Sequence, residues 1–119
     1  MNHVLTSGRL SLRPANAQDE SALLRHWTDP DVREYLFDGS MLAAGEIADA
    51  IGGSVRSFAA EGYGIWVLRQ RDSGELVGVA GLRPLDELGL EVFYSLEPRA
   101  WVRGYATEAA LAVIDYGLG

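Results

Sequence analysis

The chain has no cysteine, and all ten of its basic residues are arginine, so lysine is missing as well. Without cysteine there can be no disulfide, no thiolate metal ligand and no cysteine nucleophile, and a reducing, cytoplasmic compartment is expected. Without lysine, Schiff-base chemistry and the lysine-bearing phosphate loop of nucleotide hydrolases are both closed. Long apolar runs are absent too: nothing approaches the roughly 18 residues that a membrane span needs. Met1 to Leu12 shows no basic stretch followed by an apolar block, so no secretory leader is expected. Positive charge is scarce, with a formal net charge of −7. That balance argues against nucleic acid, whose binders present a basic face to displace phosphate counterions. A cationic or amine-bearing partner suits it better. The two histidines, His3 and His26, make no metal pair, and no metal is expected.

What remains is the composition of a packed domain. At 119 residues, 48% hydrophobic and 9% aromatic, the chain can build one core but not two. There are no internal repeats, linkers or low-complexity tracts.

Arg9 to Arg13 alternates polar and apolar residues ahead of Pro14 and reads as a first or edge strand. Asn16 reads as a helix cap with Asp19 three residues on, followed by Ala22, Leu23, Leu24 and Trp27 at helical spacing. Asp29-Pro30 restarts a short helix with Val32, Tyr35 and Leu36 on its apolar face. A third helical segment begins at Ser40, with Ile47, Ala50, Ile51, Val55 and Phe58 as its stripe. Gly52-Gly53 interrupts that segment, at about 1 kcal/mol per glycine relative to alanine. Close packing of the two glycines is the expected reason, mobility the alternative.

The middle of the chain is β. Ile65 to Leu68 and Leu76 to Leu82 flank Arg71-Asp72-Ser73-Gly74, a turn whose glycine suits a positive φ. A looser connection, Arg83 to Gly89, leads to Leu90 through Leu96. There Leu90, Val92, Tyr94 and Leu96 alternate with Glu91, Phe93 and Ser95. A last helix spans Ala106 to Leu118, with Ala109, Ala110, Val113, Ile114 and Gly117 on one side. Strand, helices, three strands and a helix make an α/β (α+β) domain.

The segment that carries chemistry is Trp-Val-Arg-Gly-Tyr-Ala-Thr-Glu-Ala, from Trp101 to Ala109. A strand-to-helix turn with a glycine exposes consecutive backbone N–H groups at a helix N-terminus, which suits a phosphate or pyrophosphate. Arg103 would add a charged contact, and Ala106 and Thr107 are small enough for a bulky anion to approach. The plainer alternative is that Gly104 completes a turn and Thr107 caps the helix.

Trp101, Val102, Arg103, Gly104, Tyr105 and Ala106 resemble the Q/R-x-x-G-x-G/A pyrophosphate loop of the GNAT N-acetyltransferase superfamily. A tryptophan followed by Arg-Gly-Tyr-Ala-Thr-Glu-Ala is characteristic of its RimJ/RimL-type branch. Four further blocks agree in order: Ser-Gly-Arg-Leu-Ser-Leu-Arg-Pro near the start, Trp-Thr-Asp-Pro-Asp-Val-Arg-Glu-Tyr-Leu, the Gly62–Leu82 hairpin, and Leu-Glu-Val-Phe-Tyr-Ser-Leu-Glu-Pro. The resemblance covers essentially the whole chain. One position departs from the branch: Val102 stands where glycine is usual, and a β-branched residue disfavours φ > 0. A modest reshaping of the loop is expected, since Gly104 is kept.

The resemblance implies a mixed, mostly antiparallel sheet flanked by helices, and acetyl transfer from acetyl-CoA to a primary amine. The acceptor would be a protein N-terminus or a small molecule. It implies that pantetheine lies beside the Leu90–Leu96 strand and bonds its backbone at Tyr94 and Leu96. Val102, Arg103, Gly104, Tyr105, Ala106 and Thr107 would then hold the pyrophosphate. A general base must deprotonate the amine, and Glu91 is the candidate, because this strand carries a catalytic glutamate in many relatives. The alternative for Glu91 is an ordinary solvent-facing residue. Glu108 reads as packing or compensation of the helix dipole. His26 reads as structural, and Trp27, Tyr35 and Trp66 as core.

In the superfamily the last helix is followed by a strand, a helix and a closing hairpin, which form much of the acceptor site. They also often supply the tyrosine that protonates the thiolate. This sequence ends at Gly117-Leu118-Gly119, so a single partial domain over residues 1–119 is expected, lacking those C-terminal elements. Self-association is expected in consequence, through the final strand and helix face. Two other readings are a CoA-binding module without turnover and an interaction protein that uses its sheet edge.

Overall fold

The computed structural model describes residues 3–29, 44–84, 90–98 and 104–118. In chain order the elements are β1 (Leu5–Thr6), β2 (Leu10–Pro14), a 3-10 turn (Ala17–Asp19), α1 (Glu20–Thr28), α2 (Ala44–Glu61), β3 (Ile65–Gln70), β4 (Leu76–Pro84), β5 (Leu90–Leu96) and α3 (Tyr105–Leu118). The strands form one five-stranded sheet in sequential order, each antiparallel to the next. The expected fold class, a mixed domain with an antiparallel sheet between helices, is the one observed. The helix expected from Asp29-Pro30 with Val32, Tyr35 and Leu36, and the start expected at Ser40, fall outside the described residues.

Local chemistry accounts for most boundaries. Asn16 Oδ1 accepts from the Gln18 N–H at 2.8 Å, and Asp19 Oδ2 accepts from the Asn16 N–H at 2.9 Å. This reciprocal capping box opens the turn that runs into α1. Gly74 has φ +73° in the turn between β3 and β4, as its place after Arg71-Asp72-Ser73 led one to expect.

The sheet buries both faces. On one, Leu10, Leu12, Trp66, Leu68, Ala80, Leu82 and Leu96 pack with Tyr105, Ala109 and Val113 of α3. On the other, Val67, Leu76 and Val79 pack with Leu23 and Trp27 of α1 and Ile47 and Ile51 of α2. Phe58 and Tyr116 meet the Trp66 ring edge-on, with centroids 4.9 and 5.1 Å away.

One irregularity redistributes the strand residues between these cores. Leu68 pairs with Gly78 but Arg69 pairs with Leu76, so Val77 is an extra residue on β4. Val77 and Val79 would share a face in a regular strand. The bulge sends Val77 to the α3 side and leaves Val79 on the α1–α2 side. At Gly78, φ is +154°, and a Cβ there would lie 2.1 Å from the Ser95 carbonyl oxygen. Only glycine lets β4 and β5 approach so closely.

Three expectations are corrected. α2 runs unbroken through Gly52-Gly53, and a Cβ at Gly52 or Gly53 would meet only the flexible Arg56 guanidinium, at 3.4 and 3.9 Å. Close packing therefore does not explain the pair; the buried Ile47, Ile51 and Phe58 on either side hold the helix together. Val55 and Ile114, assigned to apolar stripes, are exposed. Val55 lies at the margin of the arc that Ile51 and Phe58 fill, whereas Ile114 lies on the far side of its helix from Tyr105, Ala109 and Val113. The strand expected at Arg9 to Arg13 as first or edge is neither, because β1, too short at two residues to register in the sequence pattern, pairs along its other side.

Candidate active site

β5 and the start of α3 form the candidate site. The Glu97 N–H donates to the Val77 carbonyl at 2.8 Å, which fixes the phase of the ladder between β5 and β4. Tyr94 and Leu96 sit opposite Ala80 and Gly78 at the pairs without mutual hydrogen bonds. Their N–H and C=O groups therefore aim at the outer edge of β5, away from β4. Among the described residues no strand pairs along that edge. The Tyr94 ring is half exposed, whereas Leu96 is buried against α3.

α3 begins at Tyr105, one residue after Gly104, whose φ of +77° places it in the left-handed region. The Glu108 N–H bonds the Gly104 carbonyl at 3.1 Å, so the first helical bond is made there. The N–H groups of Tyr105, Ala106 and Thr107 thus precede any intrahelical partner and face the helix N-terminus, where the dipole is positive. Thr107 is the third helical residue and is exposed. It cannot be the cap that the sequence suggested, because the helix starts before it. The Tyr105 ring turns into the core, so this residue offers the turn its backbone and not its side chain. Trp101, Val102 and Arg103 fall outside the described residues, as do the side chains of Ala106 and Glu91. The Glu91 backbone lies in β5, in register with Arg83.

A second group holds α3 in place. The Glu108 carboxylate accepts from Ser7 Oγ, from the Arg9 N–H at 2.9 Å and from Arg9 Nε at 2.7 Å. The Arg9 guanidinium also lies over the Tyr105 ring, 4.3 Å from its centroid. Partial burial pushes the Glu108 carboxyl up, but the bonds from Ser7 and Arg9 and the nearby positive charge outweigh it. Its pKa is held below the usual carboxylate value. Sequence reading placed Glu108 as packing or dipole compensation; its actual partners lie about a hundred residues away, beyond the reach of a local pattern.

The third group was missed. His26 Nδ1 lies 2.7 Å from Glu97 Oε2, and its Nε2 lies 2.9 Å from Ser95 Oγ and 3.2 Å from the Ser95 carbonyl. This Ser–His–Glu row has the atoms of a hydrolytic triad. His26 is fully buried, however, and Ser95 and Glu97 are 8% exposed, so the row is closed to substrate. It pins the end of β5 to α1. The available signal was the i, i+2 spacing of Ser95 and Glu97 around the apolar Leu96.

A family model described as an acetyltransferase (GNAT) domain matches residues 9–119. The chain belongs to the GNAT acetyltransferase family. It is 28% identical over 116 residues to "Uncharacterized N-acetyltransferase p20" of Bacillus licheniformis, covering 95% of this chain and 65% of that protein. It is 32% identical over 120 residues to "Uncharacterized N-acetyltransferase YoaA" of Bacillus subtilis strain 168, covering 96% and 66%. This GNAT chain thus spans about two thirds of the length of the curated relatives it matches.

Solved structures agree on the fold. An acetyltransferase from Agrobacterium tumefaciens strain C58 superposes with a TM-score of 0.79 at 24% identity, covering 95% of this chain and 65% of that one. The RimL ribosomal L7/L12 α-N-protein acetyltransferase, in complex with coenzyme A, superposes with a TM-score of 0.77 at 15% identity, covering 95% and 66%. Among the described residues no cluster of three or more His, Asp or Glu could hold a metal.

Proposed function

We propose that this GNAT chain holds acetyl-CoA along the outer edge of β5 and at the first turn of α3, for transfer of the acetyl group to a primary amine. Two observations, one on β5 and one at the start of α3, carry the reading together. Tyr94 and Leu96 aim their backbone groups at the outer edge, and Gly104 then opens a helix whose first N–H groups face outward. An extended pantetheine arm complements the first, and a pyrophosphate complements the second.

In this reading the amine nitrogen attacks the thioester carbon. The new C–N bond forms, and the C–S bond breaks as the tetrahedral intermediate collapses to amide and thiolate. Glu91 takes the amine proton, directly or through a water. A backbone N–H on the outer edge of β5 donates to the oxyanion. Val102, Arg103, Gly104, Tyr105, Ala106 and Thr107 hold the pyrophosphate, chiefly through backbone N–H groups. We place the chain in the RimJ/RimL-type branch on the residues from Trp101 to Ala109, with a protein N-terminus or a small amine as acceptor.

Calorimetry with CoA tests the site, and Gly104→Asp is the decisive variant. It strains the left-handed turn and sets a negative charge where the pyrophosphate is proposed to lie. CoA affinity should fall at least tenfold, which corresponds to about 1.4 kcal/mol. Unchanged affinity would overturn the assignment. The second reading, a CoA-binding module, rests on both of these features facing the cofactor alone. A thiol-release assay with acetyl-CoA and mixed amines separates the two, since only the transferase frees CoA.

A further inference from the structure

Three contacts converge on one carboxylate at the start of α3. Ser7 and Arg9 both belong to the turn between β1 and β2, where the Ser7 N–H bonds the Leu10 carbonyl at 2.9 Å. Ser7 Oγ and the Arg9 N–H share Glu108 Oε2, while Arg9 Nε takes Oε1. Both carboxylate oxygens are therefore engaged by a single short stretch of chain. That stretch is anchored in turn, since Arg71 Nη1 donates to the Ser7 carbonyl at 2.9 Å and the Arg71 N–H to the Arg9 carbonyl at 2.9 Å.

Glu108 stands one turn into α3, and the guanidinium that grips it reaches back along the helix. It covers the Tyr105 ring and comes within 3.4 Å of the place a Cβ would occupy on Gly104. The lock thus spans the same residues whose N–H groups were proposed to hold pyrophosphate. Rotating or sliding the first turn of α3 would break a charge-assisted bond at Glu108 and the stacking at Tyr105 together. Directed N–H groups serve anion binding only if their aim is fixed before the ligand arrives.

We infer that Arg9 and Glu108 are positioning residues for the CoA site: the ion pair between the β1–β2 turn and α3 sets the direction of the Tyr105, Ala106 and Thr107 N–H groups. This rests on the reading of that turn as the pyrophosphate site. Neither side chain contacts the cofactor in this account; Arg9 acts through Glu108 and Tyr105.

The test compares the wild-type chain with Glu108→Ala, Arg9→Gln and the double variant. CoA affinity is measured by calorimetry, and amide resonances are followed during titration with inorganic pyrophosphate. Arg9→Gln leaves Glu108 its bonds from Ser7 and the Arg9 N–H, so it keeps the fold even if Glu108→Ala does not. Each single variant should bind CoA about tenfold more weakly. The double variant should lose less than the product of the two single losses, because both changes break the same Arg9–Glu108 bond. Pyrophosphate should shift the Tyr105, Ala106 and Thr107 amides in the wild type and shift them less in the variants.

Single variants that bind CoA as tightly as the wild type would overturn the inference. So would losses that multiply in the double variant, which would make Arg9 a direct ligand. A wild-type chain that binds neither CoA nor pyrophosphate would instead remove the CoA reading, and the inference with it, before any variant is made.

Discussion

Glu108 is charged at neutral pH in both folded and unfolded chains, but only the folded chain stabilises that charge with bonds from Ser7 and Arg9. Its folded pKa is depressed, so its contribution is fully present above the usual carboxylate value. It is lost as pH falls through that value and on through the lower, folded one. The melting temperature of the wild type should therefore drop more steeply below about pH 4.5 than that of Glu108→Gln. Parallel curves would show that the contacts do not couple to folding. His26 presents a different case. Replacing it with alanine strips two buried residues, Ser95 and Glu97, of the same partner. We expect His26→Ala to cost about 3 kcal/mol or more in denaturant unfolding. A loss under 1 kcal/mol would mean that water replaces the imidazole without difficulty.

At the level of elements, Gly78 and the bulge at Val77 decide how β4 meets both β5 and the two cores. A methyl group at Gly78 would collide with the Ser95 backbone, which cannot move without disturbing the residues that hold His26. Gly78→Ala should therefore destabilise by at least 1–3 kcal/mol, the usual range for overpacking, read as a lowered denaturation midpoint. By contrast Gly74→Ala meets nothing within 4 Å and carries only the strain of its φ of +73°. The paired strands and helices were legible in the sequence because alternation, a capping box and a turn glycine are local signals. β5 was read from Leu90 to Leu96 as it stands, and β3 and β4 were placed to within a few residues. The bulge was invisible, because an extra residue leaves both Val77 and Val79 apolar and only their faces change. Gly104 was legible as a turn, whereas the lock on Glu108 and the row through His26 depend on residues brought together only by folding.

For the molecule as a whole, the outer edge of β5, along which no described strand pairs, sets the expected solution behaviour. An outer strand edge, together with the exposed Leu111 and Ile114 on α3, offers surface on which a second copy can pair. We propose that this chain self-associates, and that CoA, by occupying the same edge, competes with association. Sedimentation or light scattering over a concentration series should show growing mass without CoA and less growth with it. A constant monomer mass at high concentration would remove the proposal.

The bond between the β1–β2 turn and α3 joins residues 99 positions apart, and His3 Nδ1 meets the Tyr116 hydroxyl 113 positions on. Ribosomes add roughly 5–20 residues each second. After Arg9 is made, Glu108 follows on the order of 5–20 s later. During that interval Leu10 and Leu12, both fully buried in the finished fold, lack the cover that Tyr105, Ala109 and Val113 of α3 give their face of the sheet. The first hairpin therefore waits in synthesis: part of its sticky side stays available to chaperones, or to a neighbouring nascent chain, until α3 emerges and closes over it.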